Sequence, residues 1–294
     1  MKAEGFVYVA TGPGYLAEAR KSAALLREHN PGYPICLVTD KADGPVFWDD
    51  LVTIPNPVFG LRDKISMRLC PYPKFVFLDT DTHVLGDLGE LFQLLDVFDV
   101  IGHQLFEGHD YKLEGIPDAF PEFNTGILGF RRGPEVERLF QDWLRQYDEY
   151  HRRFVEGDRH YSNLSDQRSF KKVMYGSAVR FAVLGPEYDF VPHHTNFACA
   201  RVKILHSRAT GKLPELGRRL NASRETRAYV PRLDSVVSNN PPGREILRLW
   251  TMSSLQLVRY ALRHAVPSGL RGRLRSFGWV RRTFLHNVYG KKGE

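Results

Sequence analysis

The sequence predicts an α/β domain whose mixed, mainly parallel sheet is flanked by helices. Three observations support this prediction. Along residues 5–205, apolar runs of strand length alternate with segments of helical periodicity. Residues 5–40 have the length of a strand–helix–strand unit, which favours parallel strands joined by a right-handed crossover. Finally, 43% of the 294 residues are hydrophobic, enough to form a sizeable core.

Each element is predicted from its local pattern. Gly12-Pro13-Gly14 is a turn between the first strand and the first helix, in which Leu16 and Leu26 recur at helical spacing. Asp87 and Glu90 have the spacing of a capping box, and Ser165 is a favourable N-cap. Residues 105–123 lack periodicity and are expected to form a loop over the site. Strands are predicted at 6–10, 35–38, 51–54, 74–78, 97–104, 126–131 and 201–205, and helices at 16–26, 61–69, 87–94, 136–147 and 165–174.

Charge divides the chain into an acidic body and a basic tail. Residues 244–294 contain 11 Lys and Arg against two acids, whereas residues 1–243 contain 30 basic and 32 acidic residues. We expect a catalytic domain at 1–215, a connector at 216–243 and a basic amphipathic helical tail at 244–294. Four arginines share one side of the helical wheel that starts this tail, namely Arg244, Arg248, Arg259 and Arg263.

The tail has two interpretations. No run approaches the 18 or so apolar residues of a membrane span, so the tail is not expected to cross a bilayer. With Trp250 and Trp279 at the interface, it would instead lie on an anionic membrane surface. The alternative is a helical cap packed on the catalytic domain. Nucleic acid is not expected as a partner, because nothing in the tail resembles a base-reading module.

The sequence also predicts a compartment. Its three cysteines are widely spaced and odd in number, which favours a reducing environment. No apolar stretch followed by a cleavage site precedes the first strand, so no signal peptide is predicted. We therefore expect a cytoplasmic protein, with peripheral attachment to the inner membrane face if the tail binds lipid.

The most informative stretch is the apolar run 75–78 followed by Asp79-Thr80-Asp81. Four consecutive apolar residues indicate a strand buried on both faces, so the acids lie where that strand leaves the core. Carboxylates at i and i+2 of an extended chain point to the same side, and a divalent cation relieves their repulsion. The alternative is a simple strand exit at which an Asp accepts from a backbone amide.

Four motifs together resemble the GT-A nucleotide-sugar glycosyltransferases, particularly glycosyltransferase family 8. They occur in the family's order, cover residues 5–215, and consist of Phe-Leu-Asp-Thr-Asp at 77–81, Phe-Asn-Thr-Gly-Ile-Leu at 123–128, Ser-Asp-Gln at 165–167, and the His…Gly-Lys segment at 206–212. The resemblance implies a GT-A-like (Rossmann-like) fold. It further implies metal-dependent transfer of a sugar from a nucleoside diphosphate, UDP being expected, to a glycan, lipid-linked or other acceptor, with retention of configuration.

The resemblance also implies a role for each matching residue. Asp79, Asp81 and His206 would hold the metal, and this ligand set suits Mn²⁺ better than Mg²⁺. Asn124, Asp166 and Gln167 would act near the transferred sugar and its anomeric carbon. Asp79 and Asp81 would also contact the donor, together with Ala10, Thr11, Gly12, Tyr15, Asp40, Arg62, Lys64, Thr80, Thr125, Gly126 and Lys212.

Some of these positions have a second interpretation or depart from the family. Arg62 and Lys64 fit a solvated helix face as well as a phosphate site. His206 alone would fit a core histidine bonded to a carbonyl. Lys212 directly follows Gly211, whereas the family usually has two residues between the corresponding Gly and Lys. The family's early acid is absent at residues 11–12, so Asp40 is expected to contact the base instead.

Two rival functions stay open. A sugar-1-phosphate nucleotidyltransferase would also place an Asp beside a metal on such a sheet, but Gly12-Pro13-Gly14 lacks the cations that grip a triphosphate. A non-catalytic lipid- or nucleic-acid-binding protein would act through its tail and use the acids only structurally.

Overall fold

The computed structural model describes residues 3–41, 47–105, 113–157, 165–208 and 210–238. Its strands are β1 (Glu4–Ala10), β2 (Ile35–Thr39), β3 (Asp50–Thr53), β4 (Lys74–Leu78), β5 (Thr82–Val84), β6 (Val100–Gln104), β7 (Phe123–Arg131), β8 (Phe181–Leu184), β9 (Asn196–Ala198), β10 (Ile204–His206), β11 (Arg227–Val230) and β12 (Ser235–Ser238). Its α-helices are α1 (Pro13–His29), α2 (Leu61–Lys64), α3 (Glu90–Val97), α4 (Pro134–Val155), α5 (Asp166–Gly176) and α6 (Leu213–Leu220), and 3-10 turns lie at Ile65–Leu69, Pro186–Tyr188 and Thr210–Lys212.

The main sheet has seven strands in the order β3-β2-β1-β4-β7-β6-β8. Strands β3, β2, β1 and β4 pair in parallel, and β6 pairs in parallel with β8. Strand β7 alone runs against its neighbours, β4 and β6. The predicted mixed, mainly parallel sheet is therefore confirmed.

Helices cover both faces of this sheet. Because side chains alternate along a strand, β1 contributes Val7 to one apolar layer and Phe6 and Tyr8 to the other. The layer containing Val7 also includes Trp143 of α4, and the opposite layer includes Leu26 of α1. Burial on both faces explains why the central strands appear in the sequence as uninterrupted apolar runs.

Two smaller sheets lie later in the chain. Strands β5 and β10 form an antiparallel pair, and β9, β11 and β12 form an antiparallel sheet in the order β12-β11-β9. A third apolar cluster joins this sheet to α6, with Leu216, Tyr229 and Val236 among its members. The described part of the predicted connector, 216–238, thus consists of the end of α6 followed by a β-hairpin.

Several predicted boundaries were wrong. Helix α3 starts at Glu90 with Gly89 as its N-cap, so Asp87 and Glu90 do not form a capping box. The side chain of Asp87 instead accepts from the amide of Gly89 at 3.0 Å. Strand β6 begins at Val100 because α3 extends through residue 97. Strand β7 begins at Phe123, so residues 124–126 lie within a strand. The predicted strand at 201–205 is the shorter β10, three residues later.

Part of what the sequence predicts falls outside the described residues. This applies to residues 106–112 of the predicted covering loop and to the whole basic tail, 244–294. Within the described ranges, none of the helices has the length and apolar character that crossing a bilayer requires.

Candidate active site

The acidic motif lies at the carboxyl edge of the main sheet, directly after β4. The amide of Asp79 donates to the carbonyl oxygen of Gly126 at 2.8 Å, which extends the antiparallel pairing of β4 with β7. Two residues later, Asp81 immediately precedes β5. The two carboxylates therefore leave the core where ligands bind in open α/β sheets.

The pairing of β5 with β10 brings His206 to these acids. His206 lies opposite Thr82 in this antiparallel pair, and the amide of Ser207 donates to the carbonyl oxygen of Asp81 at 3.0 Å. As a result, Nε2 of His206 lies 3.2 Å from Oδ1 of Asp81 and 4.0 Å from Oδ2 of Asp79. A contact between residues more than 120 positions apart is thus fixed by backbone pairing.

These three side chains fit the requirements of a divalent metal. One ligand atom from each of Asp79, Asp81 and His206 lies within 4.8 Å of the others. The second ring nitrogen of His206, Nδ1, is 2.8 Å from Oδ1 of the fully buried Asp189. A carboxylate on the far nitrogen orients a metal-ligating imidazole and raises its basicity. Carboxylate oxygens and an imidazole nitrogen are both ligands that divalent cations accept in proteins.

The protonation equilibria of this cluster are shifted. Burial opposes a positive charge on His206, but Asp189 and Asp81 outweigh it and raise the pKa of the imidazole well above its ordinary value. Burial also opposes the charge of Asp81, whereas His206 and Arg208 lower the pKa of that carboxyl to about 2. The carboxylates that raise the pKa of His206 are thus the same groups whose charge a divalent cation at this position would neutralise.

Lys64 lies between two further carboxylates of the site. Its Nζ is 2.9 Å from Oδ2 of Asp79 and 3.2 Å from Oδ2 of Asp166. Burial disfavours its charge, but Asp166 and Asp79 prevail and raise the pKa of the ammonium. Asp166 also accepts from the hydroxyl of Thr125 at 2.7 Å. The solvated-face interpretation is wrong for Lys64, whose side chain is only 13% exposed and pairs with two carboxylates.

The position of Asp166 is set by the start of α5. The hydroxyl of Ser165 accepts from the amide of Gln167 at 3.2 Å, so the predicted N-cap is confirmed. The indole of Trp143 in α4 donates to the hydroxyl of Ser169 at 3.0 Å. The first turn of α5 is thereby fixed against the core and directs Asp166 towards the sheet edge.

Two adjoining clefts open at this edge. The larger has a volume of about 480 Å³ and is lined by Lys64, Asp79, Asp81, Leu105, Asn124, Thr125, Asp166, Gln167, Val191, His193, His206, Ser207 and Arg208. The smaller, about 200 Å³, is lined by Val9, Thr11, Tyr15, Gly60, Leu61, Asp63, Lys64, Asp79, Thr80 and Arg208. Lys64, Asp79 and Arg208 line both, so Asp79 lies where the clefts meet, and Asp81 and His206 lie beside it in the larger cleft.

Six residues predicted from the sequence line neither of these clefts. Ala10 is buried at the end of β1, and Lys212 is exposed at the start of α6. The amide of Gly12, at a φ of +84°, donates to Oδ1 of Asp40 at 2.8 Å. Arg62 pairs with Asp148 at 2.6 Å, and both side chains are exposed. The sixth, Gly126, lies next to the ring of His206. Donor contacts of these six residues remain predictions.

Sequence reasoning missed one cation of the site. Arg208 places Nε 3.5 Å from Oδ2 of Asp81, and its guanidinium carbon lies 5.4 Å from the centre of the Tyr15 ring. A signal for Arg208 was present in the sequence: in an extended chain, its side chain is on the same side as that of His206, two residues earlier. Asp189 offered no such signal, because only the tertiary fold pairs it with His206.

The ring of His206 occupies the space that a side chain at Gly126 would fill. A Cβ on Gly126 would lie 2.1 Å from Cε1 of His206, too close for the ring to stay in place. Gly126→Ala is therefore expected to weaken Mn²⁺ binding at least about tenfold. Calorimetric titration of the metal measures this, with Gly14→Ala as control because its added Cβ has no described neighbour within 4 Å. Unchanged Mn²⁺ affinity in Gly126→Ala would contradict the ligand role of His206.

Comparison with known proteins supports the fold. No protein-family model and no curated protein sequence matches the chain. Among solved structures, the galactosyltransferase LgtC, in complex with donor and acceptor sugar analogues, aligns with a TM-score of 0.50 and 14% identity, covering 83% of this chain and all of that one. The glycosyltransferase GlyE of Streptococcus pneumoniae TIGR4 (TM-score 0.47, 17% identity) covers 64% of this chain, which spans about half, 47%, of GlyE. Mouse xyloside xylosyltransferase 1 (TM-score 0.44, 14% identity) covers 70% of this chain and 98% of that one. The alignment with LgtC shows that the chain has the GT-A glycosyltransferase fold.

Proposed function

We propose that the protein is a metal-dependent glycosyltransferase, which transfers a sugar from a nucleoside diphosphate, UDP in the first instance, to a carbohydrate or glycolipid acceptor. One observation carries the proposal: Asp79, Asp81 and His206 converge within 4.8 Å at the junction of two clefts on a GT-A fold. The cation held by these residues would be Mn²⁺ or Mg²⁺. When bound, such a cation acts as a Lewis acid that neutralises charge on a departing diphosphate.

The side chains around the junction are suited to a diphosphate. Arg208 has its guanidinium at the boundary of both clefts and offers paired N–H donors, which match phosphate oxygens better than a lysine does. Lys64 neutralises Asp79 and Asp166 and so keeps the site from repelling an anionic donor. In this proposal Arg208, which lines both clefts, contacts the phosphates, and Lys212, which lines neither, stays a predicted phosphate contact.

The larger cleft would hold the transferred sugar and the acceptor. Asn124, Asp166 and Gln167 line it and supply carboxylate and amide groups for sugar hydroxyls near the anomeric carbon. Asp166 is held by Lys64 and Thr125, so it would act from a fixed position. Retention of configuration is part of the proposal and rests on the resemblance to family 8.

A screen of donors tests the proposed function. The full chain is incubated with UDP-, GDP-, ADP- and CMP-sugars in Mn²⁺, Mg²⁺ or EDTA, and NMR follows the released sugar. We expect slow hydrolysis of one donor with a divalent cation, none in EDTA, and a first-formed sugar with the donor's anomeric configuration. Formation of a nucleoside triphosphate from pyrophosphate and a nucleotide sugar would identify a nucleotidyltransferase instead. If no donor is hydrolysed and calorimetry detects no nucleotide binding in the presence of metal, the acids are structural and the enzymatic proposal fails.

A further inference from the structure

An exposed aromatic residue stands beside the smaller cleft. Phe59, in the loop before α2, is 60% exposed, and the next two residues, Gly60 and Leu61, line the cleft. Its ring reaches the Gly12 turn, since a Cβ on Gly12 would lie 3.8 Å from Cδ1 of Phe59. Tyr15, one turn into α1, lines the same cleft. Two aromatic side chains thus lie close to one opening.

The backbone of Phe59 is in an unfavourable conformation. Its φ of +55° lies in the left-handed region, which side chains other than glycine rarely adopt. The buried carboxylate of Asp63 stabilises this conformation by accepting from the amides of Val58 at 2.9 Å and Phe59 at 2.7 Å. Since the ring remains mostly exposed, folding gains little from burying it. Strain that burial does not explain is typical of ligand contacts.

The position of the smaller cleft limits what the ring can contact. The cleft shares Lys64, Asp79 and Arg208 with the larger one, so a ligand bound through its diphosphate at the junction would extend into it. The residues that line this cleft include Tyr15, which has an aromatic ring, and Thr11, which has a hydroxyl. This combination suits a planar heteroaromatic ring with polar edges.

We infer that Phe59 stacks on the nucleobase of the nucleotide donor, and that Asp63 holds the loop so that the ring is presented to the cleft. This inference rests on the proposed function, since it concerns the same donor. Stacking on an aromatic face tolerates different bases, so Phe59 contributes affinity for a nucleobase rather than selectivity among bases. Asp63 acts as a positioning residue.

A ligand with a nucleobase and a ligand without one together test the inference. Calorimetry of the full chain with Mn²⁺ compares UDP with inorganic pyrophosphate, which lacks a base. Phe59→Ala is expected to weaken UDP binding roughly tenfold or more and to change the affinity for pyrophosphate less than about twofold. Phe59→Trp should retain UDP affinity. Val58, in the same loop, is 53% exposed, so Val58→Ala is the matched control. It should change the affinity for neither UDP nor pyrophosphate.

A stability measurement separates ligand contact from a structural role. Phe59→Gly removes the ring and relieves the left-handed strain, so its melting temperature should equal or exceed that of the wild type while UDP affinity falls. A lower melting temperature, or equal weakening of UDP and pyrophosphate, would assign Phe59 to the loop's structure and overturn the inference. Unchanged UDP affinity in Phe59→Ala would also overturn the inference and would favour a protein partner as the ligand of the exposed Phe59 side chain. Failure of the wild type to bind UDP, ADP or GDP would refute the proposed function itself.

Discussion

Asp81→Asn is expected to lower the rate of sugar transfer by at least about 10³-fold, equivalent to about 4 kcal/mol of transition-state stabilisation. The substitution keeps the size of the side chain and removes the charge that faces Nε2 of His206 at 3.2 Å and Nε of Arg208 at 3.5 Å. An amide is a poor ligand for a divalent cation compared with a carboxylate. Steady-state kinetics of donor hydrolysis with Mn²⁺ measures the loss.

The control for this variant is Asp87→Asn. Asp87 is exposed, accepts from the amide of Gly89, and lines neither of the two clefts. Its kinetics should match the wild type. Circular dichroism of Asp81→Asn should be unchanged, because the strands on either side of residue 81 are held by backbone pairing. Wild-type turnover in Asp81→Asn would rule out a catalytic role for the acidic motif.

Lys64→Met is expected to lower the free energy of unfolding by about 3–5 kcal/mol, because it leaves two largely buried carboxylates without their cation. Lys64 Nζ lies within 3.2 Å of both Asp79 and Asp166, whose side chains are 23% and 7% exposed. The variant should also lose donor hydrolysis, since the uncompensated acids repel a diphosphate. Urea unfolding in EDTA measures the stability, because a bound cation would offset part of the loss.

Arg62→Met provides the matched control, two residues earlier in the same helix. Arg62 pairs with Asp148, but the two side chains are 39% and 49% exposed, so the expected change is below about 1 kcal/mol. Adding Asp166→Asn to Lys64→Met should restore part of the lost stability, because one unpaired charge is removed. If Lys64→Met unfolds at the same urea concentration as the wild type, the three groups do not form a coupled buried cluster.

The parts of the site that sequence predicts best are those fixed by local pattern. The apolar run 75–78 predicted a buried strand, and Asp79 and Asp81 lie where such a strand must end. Ser165 predicted the start of α5 because an N-cap acts within three residues. The same reasoning failed at Asp87, since Tyr188 and Lys203 contact Glu90 instead, and both belong to a distant part of the chain.

The remaining parts depend on contacts between distant segments. Nothing near His206 in the sequence specifies that it pairs across from Thr82, although the resemblance to family 8 placed it at the metal. Lys64 and Asp166 are about 100 positions apart, and their ion pair forms because α2 packs against β1 and α4 while α5 packs against β7 and α4. For the same reason Asp189 could not be identified from residues alone. Such pairings are determined by topology rather than by local periodicity.

The central claim is that Asp79, Asp81 and His206 hold one divalent metal at the junction of the two clefts. Anomalous diffraction from crystals grown with UDP and Mn²⁺ tests it most directly. The account predicts one manganese peak about 2.0–2.3 Å from a carboxylate oxygen of each aspartate and from Nε2 of His206. A manganese peak beyond coordination distance of His206, or no peak between Asp79 and Asp81 while UDP is bound, would contradict it.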